Sequence, residues 1–128
     1  MNLYQPTKNN PYILPRILYR RILYLVRDYD RIKEQWESIL HERPKLDGQP
    51  KATTVTDTTA RIAIRRERLK ILMEAVEQAL IQIPDEYRDG ILRHITDSEH
   101  FPDTAHLNTW KSWQARLLYR IAERLGEI

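Results

Sequence analysis

The chain has 128 residues, 21 Lys and Arg against 18 Asp and Glu, a net charge of +3 and no cysteine. That length suits one compact domain, or a small domain with an extended arm. Missing cysteines exclude a disulfide framework, thiol catalysis and cysteine zinc sites, and the near-balanced charge confines any nucleic-acid binding to local placement of cations.

The first dozen residues are polar and broken by Pro6 and Pro11, and residues 1–14 read as a flexible lead-in, disordered or extended. The N-terminus has no uninterrupted apolar stretch before its arginines and no small-residue cleavage site, so no signal peptide and a cytoplasmic location are expected. No apolar run approaches the ~20 residues of a membrane helix, which removes a membrane partner from the expectations. Pro15 suits the first turn of a helix, where its missing N–H costs nothing. From there to residue 43 there is neither Gly nor Pro. Leu18, Ile22, Leu25, Tyr29, Ile32, Trp36 and Ile39 recur in alternating steps of four and three, a heptad seam. A single helix over 15–43 would be ~40 Å long. Its seam must be covered by another helix of the chain or by a second copy, and the sequence leaves both open.

Residues 44–56, with Asp47-Gly48 and Pro50, are the one clear linker. A second long helix is predicted over 57–83, capped by Thr56 or Asp57. Its apolar positions are Ile62, Leu69, Leu72, Val76, Ala79 and Ile83, and its first half is basic (Arg61, Arg65, Arg66, Arg68, Lys70). That basic run is a solvated face or a phosphate-contacting one. Pro84 ends the helix. Asp85 and Glu86 open the next, where negative charge is favoured. Tyr87, Ile91, Leu92 and Ile95 give it an apolar face. Gly90 weakens it by ~1 kcal/mol relative to Ala, and a close helix crossing would explain that glycine. Residues 96–107 are irregular around Pro102. The last helix starts near Asn108 or Thr109, or as early as Asp103. Its stripe is Leu107, Trp110, Trp113 or Gln114, Leu117, Leu118, Ile121 and Leu125, and Gly126 fits its C-cap. No strand is predicted.

Signs of catalysis are absent. His94, His100 and His106 are spaced by six and six, which does not put them on one helical face, and His41 stands apart. There is no HExxH pair and no G-x-S-x-G elbow. Three glycines leave no room for a phosphate-cradling glycine loop. No enzyme activity, metal or cofactor is expected. The last helix instead joins a tryptophan-anchored apolar stripe to a polar face of Thr109, Lys111, Ser112, Ala115 and Arg116. Such a mixture suits a recognition helix: hydroxyls and backbone N–H groups reach phosphates, Lys and Arg reach phosphates or guanine edges, and Ala permits close approach. Trp110 and Trp113 are expected to be core supports of that face.

The order of several phrases adds a family resemblance. Asp57-Thr58-Thr59-Ala60-Arg61 opens one helix, Ile83-Pro84-Asp85-Glu86-Tyr87-Arg88-x-Gly90-Ile91 follows, and Thr109-Trp110-Lys111-Ser112 leads into Arg116-Leu117 and Leu125-Gly126. This resembles the phage and prophage transcriptional regulators of the RinA/ArpU type, whose C-terminal part is similar to sigma region 4. The phrases Tyr12–Pro15 and Arg27-Asp28-Tyr29 extend the resemblance over positions 12–126. It implies an all-α protein in which a long N-terminal helix packs on a second long helix, followed by a helix-turn-helix unit over 84–128. Between the last two helices only a turn or two of middle helix is expected, around Asp103 to Leu107. The implied function is transcription control through double-stranded DNA. Lys111, Ser112, Ala115 and Arg116 would enter the groove, and Thr109, Arg120 and Arg93 would hold phosphates. RNA polymerase and a second copy of the chain are the further candidate partners. The competing expectation is a helical interaction or assembly protein that binds no DNA.

Overall fold

The computed structural model describes residues 4–39 and 52–128, the side chains of 52–56 excepted. Five α-helices account for the regular structure, and the described residues contain no strand. They are α1 (Arg16–Arg27), α2 (Tyr29–Ile39), α3 (Ala52–Ile81), α4 (Asp85–Asp97) and α5 (Leu107–Arg124). No helix among the described residues is long and apolar enough to cross a membrane.

The predicted helix over 15–43 is two helices. Pro15 stands just ahead of the first turn, and its carbonyl accepts the Tyr19 N–H at 2.8 Å. The helix breaks at Asp28, whose backbone (φ −93°, ψ 2°) leaves the helical basin. The carboxylate of Asp28 is engaged by the Arg31 guanidinium, which pulls its pKa below the usual carboxylate value. The break corresponds to a change of partner, because α1 packs on α4 and α5 while α2 packs on α3. The heptad seam therefore has no single partner. Leu18 and Ile22 join the main core, Ile32 and Ile39 are also buried, and Leu25, Tyr29 and Trp36 are half-buried. Helix α1 also buries Tyr19, Leu23 and Val26. That wider stripe is what a helix wedged between two others requires.

Half of the seam does meet the second long helix. The Tyr29 hydroxyl donates to Glu77 Oε1 at 2.5 Å, and burial together with the glutamate's charge raises its pKa. Arg66 stacks its guanidinium over Trp36, 4.7 Å from the ring centroid, so one member of the predicted basic run is a packing residue. Helix α3 begins inside the predicted linker, at Ala52, and ends at Ile81 instead of Ile83. The rest of that linker and the end of the predicted first helix lie outside the described residues.

The start of α4 is tied to the end of α3. Arg88 donates from Nε to the Ile83 carbonyl (2.7 Å) and from Nη2 to that of Ile81 (2.9 Å), and pairs with Asp85. The carbonyls left over at a helix C-terminus find a charged donor. At the far end, Gly126 (φ +73°) closes α5: Gly126 N–H bonds to Glu123 O and Glu127 N–H to Ala122 O, a Schellman pair. Glu127 also pairs with Arg21 of α1 at 2.8 Å.

The close crossing expected at Gly90 is present. A Cβ there would lie 2.7 and 2.8 Å from two indole carbons of Trp110 and 3.1 Å from Pro102. These atoms belong to a buried ring and a proline, neither of which can swing aside. Gly90→Ala gains helix propensity worth ~1 kcal/mol but overpacks the crossing at a cost of about 1–3 kcal/mol. A net loss of up to about 2 kcal/mol is expected in urea unfolding at unchanged m-value; a variant more stable than the parent would disprove the tight crossing.

Candidate nucleic-acid interface

The expected flexible lead-in is folded against α5 from residue 4 onward. Gln5 closes the arm into a loop: its amide Nε2 donates to the Leu14 carbonyl, and its Oε1 accepts the Leu14 N–H at 3.0 Å. Inside the loop Asn10 donates to the Pro6 carbonyl (2.7 Å) and accepts from the Tyr12 N–H (2.9 Å). Leu14 anchors its far end in the core. A segment with few apolar side chains is thus ordered by side-chain amides that mimic backbone pairing.

Tyr12 carries the arm onto α5. Its ring meets Tyr119 edge-on at 5.3 Å. The Arg116 guanidinium lies 4.8 Å from the Tyr12 ring and 4.8 Å from that of Trp113. The Arg120 guanidinium is 5.8 Å from Tyr12 and pairs with Glu123 at 3.0 Å. Much of the face predicted to enter a groove is therefore already engaged within the molecule.

The predicted site residues separate into three groups. Lys111 and Ser112 share one polar groove, with the arm's Thr7, Lys8, Asn9 and Asn10 opposite them and Asn108 beside them. Thr109, half-buried, stands in the first turn of α5 next to that wall. Arg116 and Arg120 are packed as described, and Arg93 sits on exposed α4 surface paired with Asp89 at 3.2 Å, outside the groove. Ala115 is a correction: at 3% exposed it belongs to the core, because the arm and α1 cover the side of α5 that periodicity left open. Of Trp113 and Gln114, Gln114 takes the buried position and Trp113 is half-buried. Trp110 is core, as expected, and Trp113 packs partly against it.

The middle helix expected around Asp103 to Leu107 is a second correction. Residues 98–106 contain only a turn at Asp103-Thr104. Helix α4 ends at Ser98 in the left-handed region, and α5 starts at Leu107 behind His106, whose Nδ1 accepts the Asn108 N–H at 3.1 Å. Phe101 holds the connection in place, stacked on His94 at 3.9 Å and on Trp110 at 5.6 Å. Tyr87 of α4 stands edge-on to Trp110 at 5.0 Å.

The chain matches no protein-family model, no curated protein and no solved structure.

What the groove offers is the chemistry of an anion site. Lys8 and Lys111 supply two ammonium groups, Thr7 and Ser112 hydroxyls, and Asn9, Asn10 and Asn108 amide donors. No Asp or Glu lines it, and neither lysine has an ion-pair partner among the described residues. The first turn of α5, the positive end of its dipole, forms one wall. Lys8, Asn9 and Asn10 are absent from the sequence-level candidates. Their only signal is polarity in a segment without periodicity, which a solvated tail shares.

Proposed function

We propose that the protein binds double-stranded DNA, with the groove between the N-terminal arm and the start of α5 seated on the phosphate backbone, and acts in transcription control as a RinA/ArpU-type phage or prophage regulator. The observation that carries this reading is the pair of uncompensated lysines, Lys8 and Lys111, facing one groove with hydroxyls, amides and no carboxylate. A backbone-directed interface of this kind positions the duplex, and base reading falls to the exposed side chains flanking it, Ser112 foremost. Helix α5 is then the shoulder of an arm-and-helix clamp, and a bare recognition helix is no longer needed. The test is a gel shift of the full chain on DNA from around its own gene at two salt concentrations. Binding that weakens as salt rises supports the reading; no binding at low salt ends it.

One observation favours the second reading, an interaction or assembly protein. Ile64 and Ile71 on α3 are 53% and 49% exposed and share a helix face with exposed Arg61 and Arg68. Light scattering of the parent against Ile64→Asp/Ile71→Asp decides it: an oligomer lost in the variant, without DNA binding in the parent, supports assembly.

A further inference from the structure

A second cavity of about 650 Å³ lies on the other side of Lys111. It is bounded by the arm, the 98–106 connection and the inner face of α5, and its size is that of a small-molecule pocket. Tyr4, Tyr19, Phe101 and Trp110 are among the aromatic side chains in its wall. Phe101 and Trp110 stack on each other, and Phe101 also on His94, so they line the cavity as one aromatic block. Polar side chains also line it, among them Gln5, His94, His100, Lys111 and Gln114. Gln114 Oε1 and Trp110 Nε1 are both buried without a hydrogen-bond partner, and both side chains wall the cavity. Lys111 is the one full cation at the rim. Asp103, the one carboxylate there, is exposed to solvent, whereas Lys111 is half-buried and has no counter-ion among the described residues.

We propose that this cavity binds an aromatic carboxylate of about two rings, its ring system against the apolar part of the lining and its carboxylate on Lys111. The apolar lining takes the rings, and the Lys111 ammonium, without an ion-pair partner among the described residues, takes the carboxylate. Lys111 borders both this cavity and the phosphate groove. A carboxylate held on it takes that ammonium away from DNA, which makes the ligand an antagonist of DNA binding. This last step rests on the DNA-binding reading; occupancy of the cavity does not.

The experiment is isothermal titration calorimetry of the full chain with 2-naphthoate and with its neutral counterpart 2-naphthol, without DNA present. The parent is expected to bind 2-naphthoate in the micromolar range. Lys111→Gln should weaken 2-naphthoate about tenfold or more and leave 2-naphthol unchanged, a difference that a folding defect cannot produce. Ala105→Trp, which fills the cavity from the connection, should abolish both. Absence of 2-naphthoate binding up to millimolar concentration overturns the site, and equal binding by the parent and Lys111→Gln overturns the assignment of Lys111. The gel shift is then repeated with 2-naphthoate. Weaker DNA binding by the parent, with Lys111→Gln unaffected, supports the antagonism, and unchanged DNA binding overturns it. A parent that binds 2-naphthoate but no DNA at any salt removes the DNA reading and leaves the cavity assignment standing.

Discussion

Trp110→Ala is expected to cost the fold about 3–5 kcal/mol, the range for truncating a buried large aromatic. The indole is 1% exposed. It is the piece against which α4 crosses at Gly90, the connection stacks through Phe101 and Tyr87 stands edge-on. Its Nε1 has no hydrogen-bond partner, so truncation forfeits packing and no hydrogen bond. Urea unfolding followed by far-UV circular dichroism measures the loss, and a change below about 1 kcal/mol would mean that the ring is not the keystone described. The same geometry predicts a reversal of sign. In the Trp110→Ala background the two ring carbons that a Cβ at position 90 meets are gone, so Gly90→Ala should turn from destabilising to neutral or stabilising, by up to the ~1 kcal/mol of helix propensity. A double-mutant cycle reads that coupling directly.

What the sequence disclosed was the local chemistry. Pro84, with Asp85 and Glu86 behind it, marks a helix start, and Gly126 a helix end, because caps and breakers act on their own few residues. Gly90 was readable as a crossing for the same reason: nothing in its own helix explains it. The break at Asp28 was not readable. No Gly or Pro interrupts the seam there, and the helix divides because its two halves face different neighbours, α4 and α5 for one and α3 for the other. Partner changes of this kind are tertiary and leave no mark in the spacing.

The arm was lost to sequence reading for a different reason. Composition made residues 4–14 a solvated lead-in, and what orders them is a pairing of the Gln5 side chain with the backbone of Leu14, nine residues on. A single glutamine carries no sign of such a partner. With the arm in place, the polar side of α5 is an interior wall along part of its length. Ala115 consequently moves from the reading face to the core, and Tyr12 takes up Arg116 and Arg120. Three residues that look equivalent on a helical wheel therefore have different surroundings, and only Lys111 and Ser112 keep the open, anion-seeking character that the pattern suggested for all.

Lys8→Ala/Lys111→Ala is accordingly expected to weaken binding to duplex DNA about tenfold or more, ~1.4 kcal/mol or above, and to lower the slope of log affinity against log salt by about two, one for each phosphate contact removed. The loss should be nearly the same on any duplex, because the groove meets the backbone. Arg93→Ala and Arg120→Ala should each change affinity little, since Asp89 and Glu123 already neutralise those guanidinium groups and an exposed pair of this kind leaves little free potential. Combined in one chain, Arg93→Ala/Arg120→Ala removes two cations as Lys8→Ala/Lys111→Ala does, so the contrast isolates placement from charge. Equal losses from the two sets, or a salt slope unmoved by the lysine variant, would show that overall charge and not the arm-and-helix groove holds the duplex. A single Lys8→Ala variant adds the decisive case. That residue lies in the arm, outside every helix, so a drop of about one in its salt slope shows that the arm itself contacts the phosphates.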